Sequence, residues 1–355
     1  MEAPSEPGLC RVVGPRGFLA WAFFNPRSQI ALRAFAFEDQ EPLAALKERF
    51  ERAFHRRRSA LEREPQGGFR LVHAEGDFLP GLIVDYYAGY LVVQVLSAVL
   101  EALRPLWVPW LQELPVRGVL ARNDPPTRLQ EGLPREVGVL FGAVPEEIWV
   151  EEGSIRYVVN PWQGQKTGAF LDQRENRLRL ESLQGERALD VFSYQGGFAL
   201  HLRGFREVVA VDSSRPALLR AERNAQANQF ELRTVEANAF EFLREESRSG
   251  ARWDLVVLDP PALAKGKSEL ARAYAAYKEL NLRALRLLRP GGWLATASCS
   301  HHLSPELFEA MLQEAAADAH RSLRVEFWGG QGWDHPVLLN VPETRYLKFA
   351  LLEVS

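Results

Sequence analysis

The chain has 355 residues, 46% of them hydrophobic and 25% charged, with a formal net charge of −3 at pH 7. That length exceeds one ordinary domain and predicts two or three, each with a full apolar core. The charge argues against indiscriminate nucleic-acid binding. No apolar run approaches the ~20 residues of a membrane span, and two cysteines far apart in the chain, Cys10 and Cys299, make neither a disulfide framework nor a metal cluster. The opening MEAPSEPGLC lacks a basic-then-apolar signal pattern, so a cytoplasmic protein without membrane partners is expected.

Residues 9–40 read as short β elements, CRVV, FLAWAFF and IALRAFAF. A basic amphipathic helix follows in LKERFERAFHRRRSALERE (46–64), with the run Arg56, Arg57, Arg58. A solvated face with glutamate pairing is the simpler reading of that run. The functional reading is contact with a phosphate backbone, for which arginine is suited. The chain has only six lysines, although a GC-rich genome produces the same bias. EREPQGG (62–68) reads as a linker. Beyond it, FRLVHAEGDFLPGLIVDYYAGYLVVQVL reads as three strands joined by turns, followed by a helix over 98–113 and strands at VRGVLAR and IRYVVN. Three segments are expected: a β-rich unit with the basic helix (1–64), a mixed α/β unit (65–163) and a third domain (164–355).

From Arg187 the pattern is strand–helix alternation, the signature of a mostly parallel, doubly wound α/β sheet. RALDVF, EVVAVD, LRTVEAN, WDLVVLD and GGWLATAS are the predicted strands. Between them lie a short helix at FALHLR and longer ones over 214–228, 239–247, 269–288 and 304–320. RVEFW and RYLKFALLEV supply two more strands, the last expected to be antiparallel at the edge.

Ligands of such sheets bind beyond the carboxyl ends of the strands. Asp190, Asp212, Asn238, Asp259 and Cys299 each close or follow one of them. A single aspartate there is often a helix cap; four polar groups and a thiol on one rim suit a ligand. In DVFSYQGGF, Ser193, Tyr194, Gly196 and Gly197 bring backbone close, and Asp190 can meet an ammonium group. Asp212 can accept both hydroxyls of a ribose, and Asn238 can bond an adenine edge. Amino acid, ribose and adenine in series describe S-adenosylmethionine. A dinucleotide site would show G-x-G-x-x-G in the first turn, which SYQGGFALH lacks.

The tripeptide DPP, Asp259 to Pro261, removes N–H donors and leaves carbonyls and the Asp259 carboxylate to accept from an exocyclic amine, which suggests a nitrogenous base. Lys265 and Lys267 follow in the same loop as candidate contacts to that substrate. Cys299 lies in TASCSHHL. An isolated cysteine is normally a small core filler. At this rim it suits a nucleophile that adds to C6 of cytosine so that C5 can take a methyl group.

These stretches resemble the bacterial 23S ribosomal RNA cytosine-C5 methyltransferases that join a PUA domain, a small central α/β domain and a class I methyltransferase domain. The matching stretches include FFNPRSQIALRAF, GQKTGAFLDQRENR, DVFSYQGGFAL, DLVVLDPPA, LLRPGGWLATASCSHH and DHPVLLNVPETRYLKF, and they span nearly the whole chain. The resemblance implies 5-methylcytosine formation with Cys299 as nucleophile, and Asp259 and Pro260 around the base. It implies Asp190, Asp212 and Asn238 on S-adenosylmethionine, joined by Lys166, Thr167, Phe170 and Gln173 from a loop folded over the cofactor. The implied partner is 23S ribosomal RNA, naked or in a partly assembled large subunit, with a homodimer left open. The chain starts close to the CRVVGPRGF stretch, so an incomplete PUA-like domain is expected in 1–64. Two other functions compete: an amino-group methyltransferase acting on guanine N2 or adenine N6 through DPP, and a non-catalytic RNA-binding or ribosome-assembly factor.

Overall fold

The structure is a computed structural model that describes residues 5–264 and 266–355, with only the backbone of Lys267. Contacts divide it into two compact units. The first is Met1–Glu152 with Val158–Leu171 and Trp333–Thr344; the second is Gly153–Tyr157 with Asp172–Gly332 and Arg345–Ser355.

The first unit begins with three antiparallel strands, β1 (Gly8–Gly14), β2 (Gly17–Phe24) and β3 (Leu32–Ala36). Helix α1 (Pro42–Arg63) starts at Glu41, whose carboxylate accepts from the Ala44 amide, with Pro42 where a missing N–H costs nothing. Strands β4 (Gly68–His73), β5 (Leu82–Tyr87) and β6 (Tyr90–Val95) follow, as the sequence predicts. The predicted helix over 98–113 is two, α2 (Ala98–Ala102) and α3 (Arg104–Gln112). Pro105 has no N–H to offer the carbonyl of Glu101, so the helix restarts there. Strands β7 (Gly118–Asn123) and β8 (Glu136–Gly142) complete a five-stranded sheet in the order β4-β5-β6-β7-β8. The chain continues through β9 (Ile148–Glu152) and β10 (Ile155–Val159); of these later strands, β8 and β9 were not foreseen. The segments expected as separate units, 1–64 and 65–163, share one core: Phe23, Phe35, Leu46 and Phe50 pack in one cluster with Phe69, Leu71, Trp107 and Val119.

The arginine run on α1 does not act as a block. Arg57 lies on the same helix side as Phe50, Ala53 and Ala60 and is completely buried. Its guanidinium donates to both carboxylate oxygens of Asp77, each at 2.7 Å, and to the Asp334 carbonyl at 2.8 Å. The expectation that Arg57 meets RNA is therefore corrected: its fork is consumed inside the fold. Arg56 and Arg58, turned to either side, are exposed, and Arg58 pairs with Glu62. Asp334 in turn accepts the Arg70 amide at 2.7 Å, and Arg70 forks onto Asp85 at 2.8 and 3.0 Å.

The second unit is the doubly wound sheet. Its elements in chain order are α4 (Arg174–Leu180), β11 (Gly185–Val191), β12 (Phe205–Asp212), α5 (Arg215–Ala227), β13 (Arg233–Glu236), α6 (Ala239–Ser249), β14 (Trp253–Leu258), α7 (Leu270–Leu287), β15 (Leu288–Ser298), α8 (Pro305–Ala319), β16 (Leu323–Gly329) and β17 (Lys348–Val354). The strand order is β13-β12-β11-β14-β15-β17-β16, parallel except for β17, which is antiparallel to both neighbours. The last strand is thus antiparallel as expected, but it is inserted between β15 and β16, and β16 forms the edge. FALHLR contributes only a single 3-10 turn, Ala199–His201. Strand order reverses between β11 and β14, and a crevice opens at such a switch point beyond the strand ends.

Replacing Arg57 by alanine would strip the buried Asp77 carboxylate of its two-point partner and leave only Arg56, 3.9 Å away, a loss worth about 3–5 kcal/mol. Arg57→Ala is expected to move the urea midpoint sharply down, while Arg58→Ala, which gives up one exposed pair, should leave it in place. Equal midpoints for the two variants would refute the internal role of Arg57.

Candidate active site

The inner strands of the second unit are apolar because both faces are covered; all six residues of β14 are buried. Polar side chains are therefore displaced to the strand ends. Asp190 is the penultimate residue of β11, Asp212 the last of β12, and Asp259 and Cys299 directly follow β14 and β15. Asn238 lies two residues beyond β13.

The turn after β11 is held in unusual backbone. Phe192, Tyr194 and Gly196 all have positive φ, at 66°, 52° and 81°, a region that bulky residues enter only under constraint. At Gly196 a Cβ would approach the Ala221 Cβ to 3.1 Å, so a glycine suits both the backbone and the space. The constraints are two carboxylates. Asp190 accepts from the Ser193 hydroxyl at 2.6 Å and the Ala199 amide at 2.9 Å. Asp212 accepts from the Tyr194 amide at 2.9 Å and the Ser214 amide at 2.8 Å. Asn238 caps α6, its side-chain oxygen accepting from the Phe240 and Glu241 amides. Its amide N–H groups are what remains for a ligand. A Cβ at Gly197 would meet the Arg177 side chain only at ordinary contact distance, so space does not require glycine there.

Asp190 is buried, and among the described residues its Oδ1 has no hydrogen-bond partner. Burial pushes its carboxyl group up to about 7; the bonds from Ser193 and Ala199 oppose this, and the neighbouring Asp259 and Asp212 charges add to it. An acceptor left open beside two further carboxylates suits a cationic ligand.

On the other side of the switch point, Asp259 accepts from the Gln173 amide at 2.8 Å, and the Gln173 oxygen accepts from Asn176 at 2.7 Å. Pro260 is buried and Pro261 exposed. The DPP loop is tied to the cysteine loop, since the Ala264 amide donates to the Ser300 hydroxyl at 3.3 Å. Cys299 itself is half-buried, between Ser298 and Ser300, which are fully buried. Ser300 bonds the Tyr277 hydroxyl of α7 at 2.9 Å, and its carbonyl accepts from Lys348 at 2.6 Å.

The other expected residues fall elsewhere. Lys166, Thr167 and Phe170 belong to the first unit. Lys166 is exposed, its ammonium 4.6 Å from the Phe170 ring centre. Thr167 is 1% exposed, its hydroxyl bonding Asp85 at 2.5 Å and Tyr87 at 2.9 Å. A side-chain contact from Thr167 to the cofactor is thereby corrected: the hydroxyl is internal to its own unit. Lys265 and the side chain of Lys267 lie outside the described residues. Sequence reasoning missed Tyr277 and Lys348. A lysine heading the strand KFALLEV, directly before the apolar run Phe349 to Leu352, is a signal that could have found the second.

Comparisons with known proteins agree with this geometry. A family model described as S-adenosylmethionine-dependent methyltransferase matches residues 133–329. The chain is 38% identical over 343 residues to ribosomal RNA large subunit methyltransferase I of Aliivibrio fischeri, covering 93% of this chain and 86% of that one. It is 39% identical, with the same coverage, to the protein of that name from Vibrio cholerae. The chain belongs to this methyltransferase family. It is an S-adenosylmethionine-dependent enzyme. Among solved structures, the methyltransferase SMU.776, determined with SAH, matches with a TM-score of 0.84 at 18% identity over 97% of this chain and 90% of that one. An S-adenosylmethionine-dependent methyltransferase from Streptococcus mutans matches at a TM-score of 0.83 and 18% identity, over 99% and 92% of the two chains. These two establish the fold, a Rossmann-like methyltransferase sheet.

The residues present fit the cofactor: Asp190 would take its ammonium group, Asp212 its ribose and Asn238 its adenine edge.

Asp190 holds its proton more tightly when folded than when unfolded, so the stability this gives is lost as pH rises through about 7. In ligand-free protein, Asp190→Asn should therefore gain on the parent by on the order of 2–3 kcal/mol between pH 5 and pH 8, read by urea unfolding. A constant difference across that range would refute the displaced titration. Asp212→Ala should weaken S-adenosylmethionine binding tenfold or more, since charge-assisted hydrogen bonds contribute about 1.5–3 kcal/mol. Unchanged affinity by calorimetry would mean that Asp212 serves only the turn.

Proposed function

We propose that this enzyme methylates C5 of a cytosine in the large-subunit ribosomal RNA and that Cys299 is its nucleophile. The names of the relatives support the RNA. The observation that carries the chemistry is Cys299 at the carboxyl rim, on a loop bonded to the Asp259 loop through Ala264 and Ser300. The cofactor, when bound, supplies an electrophilic methyl group. The residues of the chain do the rest.

The Cys299 thiolate forms a bond to C6, and the C5–C6 π electrons move to C5, which would take the methyl group as the methyl–sulfur bond breaks and leaves its electron pair on the sulfonium sulfur, now a neutral thioether. A base then removes the C5 proton, the electron pair re-forms the double bond, and the S–C6 bond breaks to return the thiolate. Asp259, oriented by Gln173, accepts from the exocyclic amine together with the Pro260 carbonyl, and so holds the ring in register. A base inside a duplex cannot reach this rim, so the cytosine must be single-stranded or flipped. In this reading residues 1–64 form a PUA-like RNA-binding element, with Arg56 and Arg58 as its exposed cations on α1, and 164–355 carry catalysis in the cytoplasm.

Cys299→Ala should abolish methyl transfer to 23S RNA and leave S-adenosylmethionine binding intact, whereas Cys10→Ala should remain active. With 5-fluorocytidine at the target, fluorine cannot leave as a proton does. A protein–RNA adduct that survives denaturing electrophoresis and requires both cofactor and Cys299 is expected. An active Cys299→Ala enzyme, or N-methylguanosine as the labelled product, would instead favour direct transfer to an amino group at DPP.

A further inference from the structure

Lys348 is 3% exposed at the start of β17, opposite Ser298 in the antiparallel ladder with β15. Its ammonium donates to the Ser300 carbonyl at 2.6 Å and the Tyr346 carbonyl at 2.9 Å. Both acceptors are neutral, and among the described residues no carboxylate pairs with it. A buried charge without a counter-charge is costly and is seldom kept for packing alone. Ser298 and Ser300 flank Cys299, so Lys348 stands opposite the residue before the cysteine and is bonded to the carbonyl of the residue after it.

We propose that Lys348 is a positioning residue for the methyl-transfer reaction: it fixes the cysteine loop through the Ser300 carbonyl and stabilises the Cys299 thiolate. The inference rests on Cys299 being the nucleophile. Burial pushes the Lys348 ammonium down to about 8, and the Cys299 charge opposes that fall, so the two groups favour each other's charged forms. Other titratable groups stand around the segment: Tyr277 from α7, His301 and His302 from the loop itself, Tyr346 ahead of β17 and Asp259 from the neighbouring loop. Burial raises Tyr277 above its ordinary value, so it stays neutral where the thiolate forms. The thiol proton leaves to solvent, which the half-buried Cys299 can reach.

The test is the rate of alkylation by iodoacetamide in the full chain without RNA or cofactor, read separately at Cys299 and Cys10 by peptide mass spectrometry between pH 5.5 and 10. Cys299 should react with a midpoint about one pH unit or more below the ~8.5 of a free thiol. Lys348→Met should raise that midpoint by about a unit and slow the reaction severalfold at pH 7, while Lys348→Arg keeps it low and Cys10 does not change. A Lys348→Met profile that overlays the parent overturns the proposal. Should Lys348→Met fail to fold, the parent decides alone, because a Cys299 midpoint at or above ~8.5 also overturns it. Failure of the nucleophile reading appears separately, as methyl transfer by Cys299→Ala, since alkylation needs neither RNA nor turnover.

Discussion

The inner strands of the sheet in the second unit are covered on both faces, and the site depends on that constraint. A polar side chain in the middle of β11 or β14 would be buried without partners, so their middles are apolar, Ala188 and Leu189 in one and Leu255 to Leu258 in the other. Asp254, near the start of β14, is buried only with the Glu186 and Arg187 amides bonded to it. Because β11, β12, β14 and β15 are parallel, their carboxyl ends share one edge. Carboxylates displaced from the strands therefore collect there, and an antiparallel arrangement would have scattered them. Crowding has a consequence: Asp190, desolvated and facing two like charges, holds its proton to about pH 7. The same residue shapes the turn through Ser193 and Ala199. Turn geometry and the open acceptor on this rim are thus set by one group.

The first unit uses charge differently. Arg57, Asp77, Asp334, Arg70 and Asp85 form a buried chain of ion pairs and hydrogen bonds with each guanidinium fork filled. It ties residues 333–344, late in the sequence, to α1 and to β4 and β5. Such a network contributes little net stability against a well-packed apolar alternative, but removing one partner is costly. Its effect is to specify where the returning chain docks.

At Cys299 the two roles of charge meet. The inserted antiparallel strand β17 brings Lys348 against the end of β15, and the lysine finds the Ser300 and Tyr346 carbonyls in place of a carboxylate. The hydroxyls of Ser300 and Tyr277 and the amide of Ala264 join the same cluster, so the cysteine loop and the DPP loop form one bonded assembly.

What the sequence determined by itself is local: apolar runs of strand length, helices such as those over 214–228 and 304–320, and acids or a cysteine where the strands end. Those signals need only nearest-neighbour chemistry and the rule that ligands meet strand ends. Other features depended on residues remote in the chain. Periodicity puts Arg57 on the apolar side of α1, but only the fold supplies Asp77 and the Asp334 carbonyl that make burial tolerable. Thr167 lies in a glycine-flanked loop, and only packing turns its hydroxyl inward to Asp85. β17 reads as an edge strand until the sheet closes over it, and its lysine has no visible partner until Ser300 is beside it. In each case the deciding contact spans dozens to hundreds of residues, and its energy exists only once the chain has folded.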